Sequence, residues 1–247
     1  GLQYAVNLYD LQLTDGEITD LSPLATLDSL TWVDLNINDI SDIEPLRGRT
    51  NIRGLHVCCT EAKITDTSAL ATLTSMWTMN LGFHGLGDAL IWPLLENYPD
   101  IHGLWLPGND LTEFDHLLDY PQLDALDLGW HTIPNLSFLD VMDDLVFLDL
   151  HGAVIEDMSA LTAKTALTTL TLSTTGISDI AFLEAFTELE NLNLDGNDIA
   201  DLAPLVANPG IGEGDVVDVR FNAFDPEDPA IAEQIQALLD RGVDLRY

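Results

Sequence analysis

LTWVDLNINDISDIEPLRGRTN, which is Leu30–Asn51, is the stretch that decides the fold of this chain. Its first, fourth and sixth positions are apolar, and nine segments repeat that pattern. The segments begin at Leu8, Leu30, Ile52, Met76, Ile101, Leu123, Leu145, Leu167 and Leu189. We number the positions of each segment as slots, counted from these residues. All 27 residues in slots 1, 4 and 6 are apolar, so the chain is a repeat array.

The slot pattern predicts one short strand in every repeat. Slots 4 and 6 are apolar with a residue between them, so slots 3 to 7 form a strand with two side chains pointing inward. Slots 11 and 17, for example Ile40 and Leu46, point inward as well. One turn cannot bury its own apolar face, whereas stacked turns bury it between them. The strands therefore line up as a parallel sheet.

The repeat in Leu30–Asn51 resembles the 22-residue leucine-rich repeat of bacterial internalin-type proteins, and Leu167–Glu188 and Leu189–Gly210 match equally well. The resemblance covers about residues 8–210. It implies an α/β fold, a right-handed leucine-rich-repeat solenoid or horseshoe, with the parallel sheet on the concave face and short 3-10 or irregular turns on the convex face. It also implies that ligands, usually proteins, dock on the concave face. The family's asparagine at slot 9 survives only in Asn38, Asn109, Asn197 and Asn222, which thins the side-chain ladder.

The whole chain, 1–247, is predicted to be one leucine-rich-repeat domain. It consists of a partial N-terminal turn at 1–7, nine repeats at 8–210 and a helical C-terminal cap at 211–247. In the first turn, Leu2, Tyr4 and Val6 supply apolar cover. In the cap, Asp228 and Pro229 are typical of a helix start. The predicted apolar stripe of this helix is Ile231, Ile235, Leu238 and Leu239, with an end at Gly242 and a last strand at Val243 and Leu245.

The charge balance excludes some partners. With 8 basic and 42 acidic residues, the formal net charge is −34, so the chain would repel nucleic acid and anionic membranes. The acids are spread along the chain, which favours a role in solubility over attraction to a basic partner. Cys58 and Cys59 are the only cysteines. Adjacent cysteines rarely bridge each other, so we expect no disulfide.

Slot 13 is usually acidic, and the residue there precedes the turn that follows each strand. An acid at such a position is more typical of a cap on free N–H groups than of a metal ligand. The slot holds Asp20, Asp42, Asp66, Asp88, Glu113, Asn135, Asp157, Asp179 and Asp201. No nucleophile motif, phosphate loop or zinc-protease helix occurs, so we predict no enzyme, no cofactor and no metal site.

The candidate site lies in slots 3, 5 and 7, which face the concave side, and in the flanking slots 2 and 8. In the six repeats from Leu30 to Ala166 these are 30 positions, and they hold nine of the 24 aromatic and histidine residues. Random placement would put about three there. The nine are Trp32, His56, Trp77, Phe83, His102, Trp105, Trp130, Phe147 and His151. Exposed together, large rings mark a binding surface.

Polar residues complete the candidate site and would set ligand orientation through hydrogen bonds. They are Asp34, Arg53, Cys58, Asn80, Asp127 and Asp149. Two extra residues within Cys59–Lys63 are predicted to wall the site, and three near Ala89–Ile91 to form a convex bulge. Free slots in the last two repeats are mostly threonine, asparagine and acids, so the site should fade toward the C-terminus.

The sequence therefore predicts a non-enzymatic recognition module that binds a protein ligand through an aromatic-rich concave face. Two alternatives stay open. The first is a carbohydrate or another small ligand on the same face, and the second is an intracellular scaffold or regulator. We expect a monomer at the cell surface or outside the cell, with a cytoplasmic location as the alternative.

Overall fold

The computed structural model describes residues 1–59 and 61–247, which pack as two compact units, Gly1–Leu123 and Asp124–Tyr247. Each unit consists of stacked turns with one short strand per repeat. The single domain spanning both units stays a prediction. Thr60, which holds slot 9 of the third repeat, lies outside the described residues.

The described residues of unit 1 form five strands in one parallel sheet. They are β1 (Asp10–Gln12), β2 (Trp32–Asp34), β3 (Gly54–His56), β4 (Thr78–Asn80) and β5 (Gly103–Trp105). The register is in phase with the repeat, because Leu11 lies opposite Val33 and Val33 lies opposite Leu55. Each strand occupies slots 3 to 5, so it is shorter than the predicted slots 3 to 7.

Short 3-10 helices return the chain on the far side of this sheet. They are Leu2–Tyr4, Ser22–Leu24, Glu44–Leu46, Leu70–Thr72 and Asp115–Asp119. The fourth repeat differs, because its three extra residues extend the turn into helix α1 (Asp88–Leu95) rather than an irregular bulge.

Unit 2 contains six strands in a parallel sheet and two in a small second sheet that the sequence did not predict. The parallel sheet consists of β6 (Ala125–Asp127), β8 (Phe147–Asp149), β10 (Thr169–Thr171), β11 (Asn191–Asn193), β12 (Val216–Asp218) and β13 (Asp244–Arg246). The small second sheet consists of β7 (Thr132–Ile133) and β9 (Val154–Ile155). The 3-10 helices are Ser137–Val141, Ser159–Ala163 and Ala181–Ala185, and the α-helices are α2 (Ala203–Ala207) and α3 (Pro229–Asp240).

The C-terminal cap follows the prediction closely. Helix α3 begins at Pro229, and the Asp228 carboxylate accepts a hydrogen bond of 2.8 Å from the backbone N–H of Ala230. The buried side chains of α3 are Ile231, Ile235 and Leu238. Leu239, predicted to belong to the same stripe, is exposed instead.

The predicted inward slots form the core, with three exceptions: Leu13 is exposed, and Ile18 and Ile155, both in slot 11, are only partly buried. Slots 4 and 6 are fully buried in the second repeat, where they hold Val33 and Leu35. Leu13 in slot 6 of the first repeat is 38% exposed, because β1 is the edge strand of unit 1 and lacks a covering neighbour. Tyr4 and Val6 are exposed as well, so they do not cover that end.

The acids of slot 13 act as the predicted caps in most repeats. Asp20 accepts a hydrogen bond of 2.8 Å from the N–H of Ser22, and Asp157 does the same with Ser159. Glu113 is one exception, since its carboxylate lies 3.6 Å from the His116 ring instead. Asp88 is the other, since its carboxylate accepts hydrogen bonds of 3.2 Å from the N–H groups of Thr112 and Glu113 in the next repeat. It therefore links two repeats instead of capping its own helix.

The asparagines of slot 9 form the expected ladder between repeats. The Asn109 amide donates to the carbonyls of Leu81 and Leu106 at 2.9 and 3.1 Å, and its oxygen accepts from the N–H groups of His84 and Leu86 at 3.2 and 3.0 Å. One buried side chain thus satisfies four backbone groups in two successive turns.

His84 occupies the same slot and replaces an asparagine in the ladder. Its Nε2 lies 2.7 Å from the carbonyl of Val57, and the N–H of Ile64 donates to its Nδ1 at 3.3 Å. Burial lowers the pKa of His84, so the neutral ring with a proton on Nε2 fits both contacts. The predicted thinning of the ladder is wrong at this position.

Candidate functional site

The slot 2 residues of unit 1 form a row along one edge of the open sheet face. Backbone hydrogen bonds of 2.7–2.9 Å run from Arg53 to Thr31, from Trp77 to Arg53 and from His102 to Trp77. The imidazole of His102 stacks on the Trp77 indole with 3.8 Å between ring centroids and 8° between planes. Trp77 is nevertheless 49% exposed. The row therefore presents a supported tryptophan beside a guanidinium.

Slots 3 and 5 bring three further rings together. The His56 imidazole lies 4.9 Å from the Trp32 ring and 5.5 Å from the Trp105 ring, and its Nε2 is 3.1 Å from the hydroxyl of Thr78. Burial lowers the pKa of His56, against the opposing charge of Asp34. With Trp77, Phe83 and His102, these three rings make up what we call the unit 1 aromatic face.

Glycines make room for these rings on the sheet. A Cβ atom on Gly54 would overlap the indole of Trp32, and one on Gly103 would lie 2.6 Å from the Trp105 ring. The rings therefore lie close against the backbone, half-buried, rather than standing up into solvent. This support fixes their orientation, which lowers the entropy lost when a ligand binds.

The residue in slot 8 has a positive φ, in the left-handed region of backbone conformation, in all nine repeats. Ile37, Phe83 and Trp130 adopt φ values of 57°, 64° and 64° there, whereas the same slot holds glycine at Gly108 and Gly152. A bulky side chain in this region costs on the order of 1–3 kcal/mol, and such residues cluster at binding sites. The chain therefore keeps large apolar side chains at a slot that suits glycine.

Cys58 does not contribute a free thiol to the site. It is buried and forms a disulfide with Cys59, so the expectation that the adjacent cysteines do not bridge is wrong. Cys59 stands in slot 8 with φ of 68°, a backbone turn that the sequence pattern alone did not reveal. In the insertion that follows, the Lys63 ammonium donates to the carbonyl of Phe83. A wall formed by this insertion stays a prediction.

Unit 2 carries a second group of rings, which we call the unit 2 aromatic face: Trp130, Phe147 and His151. The Trp130 indole is 52% exposed and meets His151 edge-on at 4.7 Å. A Cβ atom on Gly152 would lie 2.6 Å from that indole, so a glycine supports this ring too. Phe147 is half-buried on β8.

The polar residues of slot 5 have a structural role that the sequence analysis missed. One oxygen of each side chain accepts a hydrogen bond from the N–H of slot 7, at 2.8–3.2 Å. The set is Asp34, Asn80, Asp127, Asp149, Asn193 and Asp218. The recurrence of Asp and Asn at this slot was the available signal. Their part in ligand binding stays a prediction.

Two of these carboxylates lie side by side. Asp127 on β6 is in register with Asp149 on β8. Burial and the charge of Asp149 raise the pKa of Asp127 to about 7. Burial also raises the pKa of Asp149, against the hydrogen bond and charge of His151. At neutral pH this pair is therefore only partly ionised.

Two exposed apolar residues of slot 8 were not among the predicted site residues. Ile37 in unit 1 is 50% exposed, and Phe221 in the cap is 80% exposed. Phe221 lies in the cap and belongs to neither aromatic face, and the fading of the site toward the C-terminus stays a prediction. The free slots of β10 and β11 do hold the expected threonines and asparagines.

Metal and membrane sites receive no support from the described residues. Within 1–59 and 61–247, no group of three or more His, Cys, Asp or Glu side chains could hold a metal ion. Over the same ranges, every helix is too short or too polar to cross a bilayer.

Replacing Gly54 by alanine is expected to displace the Trp32 indole. The free energy of unfolding should change by only about 1 kcal/mol, because the better strand propensity of alanine offsets part of the cost of moving the ring. Loss of the contact between Trp32 and His56 should shift the His56 ring protons in NMR spectra. Gly212→Ala is the matched control, because a Cβ there meets nothing closer than 3.9 Å. Unchanged His56 signals in Gly54→Ala would contradict the seating of this ring.

No protein-family model matches this sequence, and neither does any curated protein sequence. Solved structures do match. Internalin F of Listeria monocytogenes is 25% identical with a TM-score of 0.72, and the match covers 99% of this chain and 68% of that one. A leucine-rich-repeat protein of Leptospira interrogans is 20% identical with a TM-score of 0.70, covering 100% and 62%. TLR13, solved as a complex with ssRNA13, is 18% identical with a TM-score of 0.62, covering 97% and 37%.

These similarities confirm the leucine-rich-repeat solenoid and the resemblance to internalin-type repeats. This chain spans between 37% and 68% of the length of the three proteins. The first is an internalin and the second a leucine-rich-repeat protein, and repeats of this kind suggest an interaction module. A protein-interaction module is therefore the class of function that the comparisons support.

Proposed function

We propose that this leucine-rich-repeat solenoid is a recognition module that binds a protein ligand through its two aromatic faces, at the cell surface or outside the cell. The observation that carries the proposal is the position of Trp77 and Trp130. Both indoles are about half exposed although leucine, valine and methionine already fill the inward slots. Neither indole occupies an inward slot, so the core is complete without them. Each is held in place by a neighbouring ring or glycine.

The energetics of interfaces favour this assignment. Tryptophan is enriched among the residues that dominate binding energy, and it contributes most where its ring is held in place before the ligand arrives. The rings of unit 1 touch one another across β2, β3 and β5, so they offer a broad surface rather than one narrow slot. A broad surface suits a protein better than a single sugar ring.

Trp77→Ala and Trp130→Ala are each expected to weaken capture of the partner at least about tenfold, the effect of losing one well-packed anchor. The measurement compares proteins captured from a surface or secreted protein mixture by the wild-type chain and by each variant, followed by titration with the partner found.

Phe221→Ala is the matched control, since it removes an exposed ring from slot 8 of the cap. It should change affinity less than about twofold. If the wild type and a Trp77→Ala, Trp130→Ala double variant capture the same proteins equally, the proposal fails. Binding of glycans by the wild type, with loss on removal of one ring only, would replace it by the carbohydrate alternative.

A further inference from the structure

Basic side chains are rare in this chain, and seven of the eight are engaged by oxygens of the protein itself. Four of them pair with carboxylates, namely Arg47, Arg49, Arg220 and Arg246. Lys164 lies near the Asp143 carboxylate and donates to the carbonyl of Met142. Lys63 donates to the carbonyl of Phe83, and Arg241 donates to the carbonyls of Val206 and Asn208. The eighth is Arg53. Within the described part of the chain, no hydrogen bond or ion pair engages its guanidinium.

Arg53 borders a cavity of about 300 Å³ in unit 1. The cavity lies at the slot 2 edge of the sheet, and its walls include Trp77, Asn97, Tyr98 and Asp100. The loop that carries the last three follows helix α1, so the insertion in the fourth repeat helps to build this wall. A free cation and an exposed indole thus share one concavity.

Among the described residues that line the cavity, Arg53 is the one cation. The hydroxyl of Tyr98 donates to the carbonyl of Leu70, so Tyr98 contributes only its ring to the wall. Asp100 lines the same cavity but forms no ion pair with Arg53 in the described structure. A carboxylate there can accept an N–H from the backbone of a bound segment.

We propose that this cavity binds a carboxylate of the protein ligand, an aspartate or glutamate side chain, through the guanidinium of Arg53. The inference rests on the proposed function and names the chemistry of one contact. A guanidinium presents parallel N–H donors that match both oxygens of a carboxylate. Acids more than about 8 Å from the cavity are largely screened at physiological salt, which leaves Asp100, in the cavity wall, as a like charge that the contact with Arg53 must outweigh.

The test uses a pair of small probes, N-acetylphenylalanine, which carries a carboxylate, and its neutral amide. The Trp77 indole N–H signal, assigned with Trp77→Phe, is followed by NMR during titration of the wild-type chain. We expect the carboxylate probe to bind at least about tenfold more tightly than the amide, as one charge-assisted hydrogen-bonded pair provides.

Arg53→Gln should bring the two probes within about twofold of each other, whereas Arg47→Gln, which removes an exposed and already paired guanidinium, should leave the ratio unchanged. Equal binding of the two probes by the wild type, no response of the Trp77 signal, or a preference that survives in Arg53→Gln would each overturn the inference. Because the titration needs no partner protein, such a result leaves the capture experiment above untouched, and a failed capture experiment leaves this one untouched.

Discussion

Replacing Asn109 by alanine is expected to lower the free energy of unfolding by about 3–5 kcal/mol. The side chain is buried and makes hydrogen bonds with four backbone groups, two carbonyls and two N–H groups, in successive turns. A buried polar group left without a partner costs about 1–3 kcal/mol, and water that enters the space recovers only part of the loss. Urea unfolding followed by circular dichroism measures the change.

The control for this substitution is Asn191→Ala, which removes the same side chain from an exposed position on β11. Its free energy of unfolding should change by less than about 0.5 kcal/mol. If Asn109→Ala loses less than about 1 kcal/mol, the ladder of slot 9 is not what joins these turns. His84→Ala should then also have little effect, because His84 holds the same slot.

The slot pattern was enough to place the strands, because the alternation of buried and exposed side chains is a local property. Every repeat has its strand at slots 3 to 5, and the helix at Pro229 begins where its proline and cap predict. The pattern did not reveal the left-handed turn at slot 8, although Gly108, Gly152 and Gly196 share that slot. Ile37 was missed for the same reason.

The features that the sequence could not supply depend on contacts between segments. The disulfide between Cys58 and Cys59 accompanies a backbone turn at Cys59, which no side-chain pattern encodes. The cavity beside Arg53 needs the loop after α1 to meet the edge of β4, and helix α1 itself arises from an insertion that breaks the repeat. The contacts of the Trp32 ring with Gly54 and of the Trp130 ring with Gly152 likewise depend on the stacking of successive repeats, because each ring and its glycine belong to neighbouring turns.

Asp127→Asn is expected to make the chain more stable than the wild type at pH 8, by about 2 kcal/mol, and to make no such difference at pH 4. The pKa of Asp127 is raised to about 7 in the folded chain, against about 3.9 in an unfolded one. As the pH rises from 4 to 7, the unfolded chain loses this proton before the folded chain does, so the free energy of unfolding falls. Water reaches part of the side chain, which keeps the effect below the full value of the shift.

Asp218→Asn is the matched control, because Asp218 holds slot 5 on β12 and should show the opposite sign. Burial acts to raise its pKa, but hydrogen bonds from the side chain and backbone of Arg220 outweigh burial and hold the pKa below its usual value. Asp218→Asn should therefore destabilise the chain at neutral pH, and that difference should fade as the pH falls through the pKa of the folded state. Urea unfolding of both variants at pH 4, 6 and 8, with an added measurement at about pH 2 for Asp218→Asn, which lies below the unfolded pKa of about 3.9, tests the pair. A pH-independent difference for Asp127→Asn would show that the pKa of Asp127 is the same in the folded and the unfolded chain, and that neither burial nor the charge of Asp149 raises it.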